Sequence, residues 1–482
     1  MRNNLLRIER LRRGWTQQQL ADFAQISLST VERAERGESI RVDCIRRFCE
    51  CLSKTPQELD LLKIDEKALD STIIMKQRSK LIPQKLFQQE REFLQRLVRT
   101  RSSNPFTPET SAPDEPVEAE VAQVIVQELQ SLGYTQIQTV GVSEKRPNVL
   151  CLIPGNGKSE KTLILSTHMD TVEPVSDYTR NPWGAQIEAN RLYGVGAADA
   201  KAQIAAFLYA IHALHQADIQ LAGNLLLAFV VDEEVGACSP YGTRYLFDHG
   251  LLYGNAAIIG EPGDDKIAIG HRGLYRFRIQ VHGKATHTGL KAWEQGKEGR
   301  NAILDVARLA QALAEVLLPD VSSDAFPNRK SVLTFPTLIN GGSEINIVPS
   351  LCKAYGDARL LPGLSAAQLR EIIQEQLNLL DIQDYQLEDL IDVPAVETHC
   401  DTEIVQALAT AVQKVTGTRL RIEGSGPACD GWMFIQHGIP TVCGYGVNYG
   451  GVHGPNEWVD LASLQSITEV YAYTIMDFLK EK

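Results

Sequence analysis

An apolar run in the stretch LILSTHMDTVEP (163–174) ends in an imidazole and a carboxylate. His168 and Asp170 stand two residues apart, so on an extended chain their side chains lie on the same side. A histidine in this position can bind a metal ion while the aspartate holds its other ring nitrogen. Taken alone, the stretch favours the simpler alternative of two polar side chains that face water at a strand end.

Three further apolar runs also end in residues that bind metals. NLLLAFVV is followed by Glu233 and Glu234, AAIIG is followed by Glu261, and TVCGYGV leads to His453. Ligands of open α/β sheets gather beyond the carboxyl ends of the strands. Because four separate strands finish in this way, the sequence predicts a metal site at one edge of an α/β sheet.

A glycine turn before a long apolar helix supplies one more acidic residue, in LYGVGAADAKAQIAAFLYAIHAL (192–214). The turn is a poor match to either nucleotide-binding fingerprint, because the third glycine and the lysine–serine pair are missing. Asp199 stands at the start of the helix, where an aspartate is most often a cap. From these residues alone, a cap is the favoured role for Asp199.

Eight short motifs occur in an order that resembles the zinc-dependent amidohydrolase and exopeptidase family: HMDTV, YGVGAADAK, DEE, GEP, GKATHTG, NIVP, DARLLPG and HGPNEWV. The family includes acetylornithine deacetylase, succinyl-diaminopimelate desuccinylase, aminoacylase and the carboxypeptidase G type. The resemblance covers about residues 86–482. It implies a doubly wound mixed sheet in a catalytic domain formed by residues 86–271 and 391–482, with an inserted α+β lid and dimerisation domain at 272–390.

The resemblance also implies two bound zinc ions, with cobalt or manganese as alternatives. Imidazole and carboxylate ligands suit zinc, and two ions held close together need a ligand that bridges them. In the family the bridge is an aspartate at the position of Asp199. His168 and Glu261 would complete one ion, and Glu234 and His453 would complete the other.

Catalytic roles follow from the same resemblance. Glu233 would be the general base that takes a proton from water and delivers it to the leaving amine. Asp170 would orient His168. His287, in GKATHTG, would stabilise the developing oxyanion, often across a dimer, with a surface histidine as the simpler alternative.

Two lid residues match the substrate contacts of the family, Asn346 and Arg359. An arginine suits a planar carboxylate because its donors form a fork, so Arg359 would hold the substrate α-carboxylate. A surface salt bridge is an equally good interpretation of Arg359. The glycine turn carries Val195 where the family has an arginine, and the late loop GPACDGW keeps Asp430 of a GTSD-like motif. These departures leave the substrate undetermined.

The first sixty residues have a different character. The stretch GWTQQQLADFAQISLSTVERAERGE resembles a phage-repressor type helix-turn-helix, which places residues 1–62 in an all-α domain and 63–85 in a linker. In such domains the second helix of the pair enters the major groove of DNA. The contacts would then fall on Gln17, Ser27, Ser29, Thr30 and Arg33. A helical bundle for protein contact is the alternative, because Glu32 and Glu35 on that helix oppose binding to phosphate.

Composition separates the two parts. The net charge of −12 argues against a chain devoted to nucleic acid, but residues 1–62 hold 11 Lys+Arg and 9 Asp+Glu.

No apolar run approaches the roughly 20 residues of a membrane span, and the N-terminus lacks the apolar block of a signal peptide. The nine cysteines include no CxxC pair. The sequence therefore predicts a cytoplasmic protein without a membrane segment.

The leading hypothesis is a di-zinc hydrolase that cleaves the amide of an N-acyl amino acid such as N-acetylornithine. A dipeptidase or carboxypeptidase is the next candidate, because the same metals and base would serve it. We expect a homodimer, with double-stranded DNA bound through residues 1–62. The rival class is a transcription regulator that uses the hydrolase body as a ligand sensor, but a sensor has no need of Glu233.

Overall fold

A computed structural model describes residues 5–24, 26–36, 42–52, 54, 59, 81–105, 115, 117–234 and 239–481. The chain divides into two compact units, Met1–Lys80 and Leu81–Lys482. Most of the predicted linker at 63–85 lies outside the described residues. Its last part is described, and a helix begins there at Gln84.

The smaller unit contains the helices α1 (Leu5–Arg12), α2 (Gln17–Phe23), α3 (Leu28–Glu35) and α4 (Val42–Leu52). A capping box starts α2, since the Thr16 hydroxyl accepts from the Gln19 amide and the Gln19 side chain accepts from the Thr16 amide. The helices enclose a small apolar core that includes Leu6, Leu20 and Val31. The predicted all-α domain is confirmed for the part that the structure describes.

The larger unit alternates helices and strands. Its helices are α5 (Gln84–Arg99), α6 (Ala119–Ser131), α7 (Lys201–Gln216), α8 (Thr243–Asp248), α9 (Lys291–Glu294), α10 (Ala302–Glu315), α11 (Ala366–Leu379), α12 (Glu403–Thr416), α13 (Gly431–Gln436) and α14 (Leu461–Phe478). Its first strands are β1 (Ile137–Val140), β2 (Asn148–Ile153), β3 (Thr162–His168), β4 (Gln186–Glu188), β5 (Arg191–Tyr193), β6 (Asn224–Val230), β7 (Ala256–Ile259), β8 (Lys266–His271) and β9 (Gly273–His282). The remaining strands are β10 (Val332–Gly341), β11 (Leu351–Leu360), β12 (Tyr385–Val393), β13 (Val396–Glu397), β14 (Arg421–Ser425), β15 (Thr441–Val442), β16 (Tyr449–Gly450) and β17 (Trp458–Asp460).

The central sheet has the strand order β1-β2-β6-β3-β7-β15. Strand β3 is parallel to β6 and β7, whereas β1 and β2 are antiparallel to their neighbours, so the sheet is mixed. Leu163 and Leu165 of β3 pack in one core with α5, α7 and α14, and Ile164 packs in a second core with α8 and α13. Helices therefore cover both faces, and the predicted doubly wound α/β fold is confirmed.

A second domain is inserted between β8 and β13. Its antiparallel sheet has the order β10-β11-β9-β12, and α10 and α11 pack on one face around Phe277, Leu309 and Leu369. The chain enters and leaves the insertion on neighbouring strands, because Leu274 of β9 pairs with Val393 of β12. The predicted inserted α+β domain is confirmed, and its last strand runs to Val393.

Two small sheets surround the site, with the orders β13-β8-β14 and β16-β17-β5-β4. The pairing of β17 with β5 brings the segment after His453 beside the segment before Asp199. Among the described residues, no helix is both long and apolar enough to cross a membrane.

Candidate metal centre

The structure brings the five predicted ligands together in two overlapping groups. His168 ends β3, Asp199 lies in the turn before α7, and Glu261 follows β7, and one ligand atom of each lies within 4.8 Å of the others. Asp199, Glu234 and His453 form a second group by the same measure. Asp199 belongs to both groups, as a bridging ligand must.

The two oxygens of Asp199 face different histidines. Its Oδ1 is 3.1 Å from Nε2 of His168, and its Oδ2 is 3.4 Å from Nε2 of His453. Nε2 of His453 is also 3.1 Å from Oε2 of Glu234. One carboxylate thus lies between the two halves of the site, with a separate oxygen for each half.

The donor set fits divalent metal ions. One buried oxygen of Glu234 and one of Glu261 have no hydrogen-bond partner among the described residues. Burial, together with the negative charge of Asp199, raises the pKa of Glu261 well above its usual value. Buried carboxylates crowded in this way are costly unless cations neutralise them, and imidazole with carboxylate is a ligand set that zinc accepts.

Asp170 supports the site in a different manner from a simple His–Asp pair. Nδ1 of His168 lies 2.9 Å from the backbone oxygen of Asp170 and 3.5 Å from its Oδ1. The side-chain oxygens accept hydrogen bonds from the backbone amides of Glu233 (3.2 Å) and Glu234 (3.1 Å). Asp170 therefore holds both the imidazole and the segment that carries the two glutamates.

Glu233 lies beside the ligands but belongs to neither ligand group among the described residues. Its side chain is buried, and burial raises its pKa well above the usual value. The charge of His168 lowers that pKa, and the charge of Glu261 raises it. A raised pKa makes a carboxylate a stronger base, which suits a group that accepts a proton.

The two lid residues His287 and Asn346 lie on the surface of the lid. His287 and Asn346 are both exposed, and Nε2 of His287 is 3.2 Å from Nδ2 of Asn346. Nδ1 of His287 accepts a hydrogen bond from the amide of Gly289. Within the part of the chain that the structure describes, no hydrogen bond joins either residue to the metal ligands.

Arg359 stands apart from this pair. Its Nε donates to Oδ1 of Asp357 at 3.0 Å, and the same carboxylate accepts from Nε of Arg276 through Oδ2, also at 3.0 Å. Arg359 is thus engaged in the ion pair that was the alternative to substrate binding. Its role toward a carboxylate stays a prediction.

In the smaller unit the predicted DNA contacts cluster at the start of α3. Oγ of Ser27 caps the helix and lies 3.0 Å from Oγ of Ser29 and 2.8 Å from Oγ1 of Thr30. Arg33 is exposed on the same helix. Nε2 of Gln17 donates instead to Oε2 of Glu35 at 2.7 Å.

Glu35 does not act as a free negative charge on that helix. Its carboxylate forms a two-pronged ion pair with Arg10, with N–O distances of 2.5 and 3.0 Å. Both side chains of the pair are almost fully buried. Because Arg10 neutralises the charge of Glu35, Glu35 is no longer expected to oppose binding of α3 to phosphate.

Known proteins share both parts of the chain. Residues 164–477 match the model described as peptidase family M20/M25/M40. The chain belongs to this family. Residues 4–62 match the model of a helix-turn-helix domain. M20 members are metal-dependent hydrolases, so the resemblance and the class of enzyme that it implied are confirmed.

Curated relatives include deacylases. Acetylornithine deacetylase of Yersinia pestis is 29% identical over 367 residues, which are 73% of this chain and 88% of that protein. The Proteus mirabilis enzyme of the same name is 28% identical over 400 residues, 80% of this chain and 97% of that protein. Succinyl-diaminopimelate desuccinylase of Wolinella succinogenes is 29% identical over 317 residues, 64% of this chain and 81% of that protein.

Solved structures share the fold. Aminopeptidase PepT of Bacillus cereus superposes with a TM-score of 0.66 at 21% identity, over 83% of this chain and 100% of that chain. The YxeP protein of Bacillus subtilis, described as a dinuclear metal-binding peptidase, gives a TM-score of 0.61 at 16% identity, over 83% of this chain and 100% of that chain.

In this M20 member, the turn that contains Asp199 is held by a residue that the sequence analysis did not single out. The Glu457 carboxylate is buried and accepts from the amides of Gly196 (2.9 Å), Ala198 (2.8 Å) and Asp199 (3.1 Å). The signal was present, since Glu457 stands in the motif HGPNEWV four residues after His453. The sequence alone did not indicate that Glu457 accepts these three hydrogen bonds; only the folded structure shows them.

A buried polar layer behind Asp170 was also missed. Nδ2 of Asn104 donates to Oδ2 of Asp170 (3.1 Å) and to Oδ1 of Asp232 (3.0 Å). Arg146 forms ion pairs with Asp232 and Glu118, and all these side chains are buried. No motif includes Asn104, Glu118 or Arg146, so the sequence offered no signal for them.

Proposed function

We propose that the protein is a di-zinc amidohydrolase that removes the acyl group from an N-acyl amino acid, with N-acetylornithine as the first candidate substrate. The observation that carries the proposal is the position of Asp199, whose two oxygens face His168 and His453 separately. The relatives named acetylornithine deacetylase support the choice of substrate.

His168, Asp199 and Glu261 would hold one ion, and Asp199, Glu234 and His453 would hold the other. Bound there, the ions would supply Lewis-acid chemistry by polarising a carbonyl and making water more acidic. Asp170 and Glu457 keep the ligand-bearing segments in place through backbone hydrogen bonds.

Glu233 would move the proton. In its buried site the carboxylate takes a proton from the attacking water and returns it to the nitrogen of the leaving amine as the amide C–N bond breaks. Burial raises the pKa of Glu233, and a carboxylate with a raised pKa is a stronger base toward the attacking water. His287 and Asn346 would approach the carbonyl oxygen from the lid.

A homodimer would form through the lid. Strand β10 is an edge of the lid sheet, and it exposes Leu338 and Ile339 by 59% and 46%. Leu304 of the adjoining α10 is 57% exposed. An apolar edge strand of this kind invites another strand, and a second copy of the chain is the occupant we propose. The predicted cytoplasmic location stays a prediction.

Hydrolysis of a dipeptide is the second candidate, because the same ligands and the same base serve both amides. A panel of N-acetyl amino acids and dipeptides, supplied with zinc or cobalt, separates them by kcat/KM. Metal content is measured on the same protein and on Glu233→Ala. We expect two ions per chain in both and turnover only in the wild type. Bound metal with no turnover of any compound would favour the sensor alternative, and absence of bound metal would contradict the site.

We propose that residues 1–62 bind double-stranded DNA, in addition to the hydrolase activity. The exposed hydroxyls and Arg33 at α3, and the neutralised Glu35, support the proposal. Binding of a mixed-sequence duplex should weaken steeply as salt rises and should disappear when residues 1–62 are deleted. Equal binding by the shortened chain would overturn it, and α3 would then serve protein contact.

A further inference from the structure

The chain makes a sharp turn directly before the two glutamates of the metal centre. Asp232 follows β6 and has a backbone φ of 68°, in the left-handed region that residues with a side chain seldom adopt. A conformation of this kind costs free energy and persists only where the surrounding structure holds it. The groups that hold Asp232 therefore influence where Glu233 and Glu234 lie.

Asp232 is held at both its backbone and its side chain. Its amide donates to Oε1 of Glu118 at 3.2 Å. Its Oδ1 accepts from Nη2 of Arg146 at 2.9 Å and from Nδ2 of Asn104 at 3.0 Å. These partners stand 86 to 128 positions earlier in the chain, so tertiary contacts, not the local sequence, hold the turn.

Arg146 connects the amide contact to the side-chain contact. Its Nε donates to Oε2 of Glu118, and its Nη2 donates to Oε1 of Glu118 at 2.7 Å as well as to Asp232. All three side chains are fully buried. Among the described residues, no other lysine or arginine forms an ion pair with either carboxylate. Loss of Arg146 would leave two buried carboxylates without a counter-charge, which is strongly unfavourable.

Asn104 extends this network to the other support of the same segment. Its Nδ2 also donates to Oδ2 of Asp170 at 3.1 Å. Asp170 in turn accepts from the amides of Glu233 and Glu234. The segment is thus held at its first residue, Asp232, and at the two amides that follow.

We infer that Arg146 is a positioning residue of the metal centre, which sets the places of Glu233 and Glu234 by holding Asp232 in its left-handed conformation. The inference rests on the proposed function, in which Glu234 is a metal ligand and Glu233 is the base. Because only one of the two ligand groups contains Glu234, Arg146 controls one ion more than the other.

The zinc affinity of the full chain tests the inference without a substrate. Arg146→Met removes the charge and the donors but keeps an unbranched side chain. Competition with a chromophoric chelator should show a loss of about 10- to 100-fold at one site, the usual cost of a lost residue behind metal ligands, and a change below about 3-fold at the other. An equal loss at both sites would overturn the inference, because Arg146 would then serve the fold as a whole.

Asp232→Gly tests the same contact while the arginine stays in place. Glycine adopts a φ of 68° without strain, and Arg146 keeps its ion pair with Glu118. The same site should lose about 10- to 100-fold in zinc affinity, because the carboxylate that Arg146 holds is gone. Wild-type affinity in Asp232→Gly would overturn the inference, even if Arg146→Met failed to fold.

The double variant shows whether the two residues act through one contact. Arg146→Met combined with Asp232→Gly should lose no more zinc affinity than the stronger of the single variants, since both changes remove the same interaction. A loss equal to the sum of the two single losses, expressed as free energies, would overturn the inference.

Turnover adds a second readout. At saturating zinc, Arg146→Met and Asp232→Gly should each lower kcat by about 10- to 100-fold and leave KM within about 3-fold, because the base is displaced while the lid contacts are not. Arg96→Met is the matched control, since Arg96 forms an ion pair with Glu128 in the same unit, between α5 and α6. It should leave zinc affinity and kcat unchanged.

The two readouts separate this inference from the proposed function. If the wild type hydrolyses no N-acetyl amino acid or dipeptide, the zinc affinities of the variants still decide the role of Arg146. If the wild type hydrolyses one of these compounds and both variants match it in zinc affinity and kcat, the inference alone fails.

Discussion

The metal centre and the lid residues differ in how much of their surroundings the chain itself provides. Asp199 is fixed through Glu457, and Glu233 and Glu234 are fixed through Asp170, in each case by backbone hydrogen bonds in a buried region. His287 and Asn346 are exposed and contact chiefly each other and their own loops. The first group is thus held by hydrogen bonds between distant segments of the chain, whereas the two lid residues have few contacts beyond their own loops.

This difference shows where each kind of precision comes from. The segments that carry Asp199 and Glu234 keep their separation because backbone hydrogen bonds to Glu457 and Asp170 hold them. Because the lid residues are exposed, little packing restricts their side chains, and they can approach or leave a substrate. Substitution of a predicted ligand, or of a group that holds one, should therefore lower metal affinity. Substitution of a lid residue should lower turnover while the metal stays bound.

Removal of the shared ligand should break the first region most severely. We expect Asp199→Ala to lower metal affinity at both sites by more than about 100-fold, since even loss of a residue behind the ligands costs 10- to 100-fold. Metal per chain after dialysis, measured by plasma mass spectrometry, is the readout. Asp177→Ala, at an exposed aspartate, is the control. Retention of both ions would mean that Asp199 does not join the two groups.

The lid should respond in the opposite way. His287→Ala should lower kcat by about 10²- to 10³-fold, the usual cost of a lost oxyanion donor, while the metal content stays at the wild-type value. His249→Ala is a control at another exposed histidine. If His287→Ala lost metal, or kept full activity, the contrast between the two regions would not hold.

Glu457 tests whether the groups behind the ligands are as important as their hydrogen bonds indicate. Glu457→Gln keeps the size of the side chain but removes its charge and half of its acceptors. We expect metal affinity to fall by about 10- to 100-fold, as measured by competition with a chelator. Glu344→Gln, in the exposed part of the lid, should leave the affinity unchanged. An unchanged metal affinity in Glu457→Gln would mean that Glu457 contributes only to folding.

The smallest effect is expected for Glu90, a buried carboxylate that is not one of the predicted metal ligands. Burial raises the pKa of Glu90 from 4.5 to about 8, so the native protein retains a proton that the unfolded chain releases. The native state then binds more protons than the unfolded state, and stability falls as pH rises between 4.5 and about 8.

Glu90→Gln should remove that dependence. The Tm of the variant relative to wild type should increase from pH 5 to pH 8, by a free energy of at most about 1.4 kcal/mol per pH unit. Glu92→Gln, on the exposed side of the same helix, should show no such trend. A Tm difference that is constant with pH would mean that Glu90 is ionised in the native protein.

Local patterns predicted the ends of the strands, because an apolar run followed by a histidine or a carboxylate is visible within a dozen residues. Asp199 was harder, since its position at a helix start fits a cap equally well, and only the ordered motifs of the family indicated a bridge. The lid insertion followed from the same motifs. Its last strand, which ends at Val393, exceeded the predicted boundary of 390.

What the sequence did not reveal depends on contacts between distant segments. Glu118 accepts from the amide of Asp232 across 114 positions, and no local pattern records that pairing. Glu35 looked like an exposed negative charge, but Arg10, 25 positions earlier, neutralises it. Such residues acquire their roles from the tertiary fold, so a single sequence is silent about them.

The insertion of the lid also governs the order in which a ribosome can finish the active site. His168, Asp199 and Glu261 are made first, whereas His453 follows Glu261 by 192 positions (453 − 261). At roughly 5 to 20 residues per second, that interval lasts about 10 to 40 s. During it the nascent chain has four of the five predicted metal ligands, and β7 still lacks its partner β15.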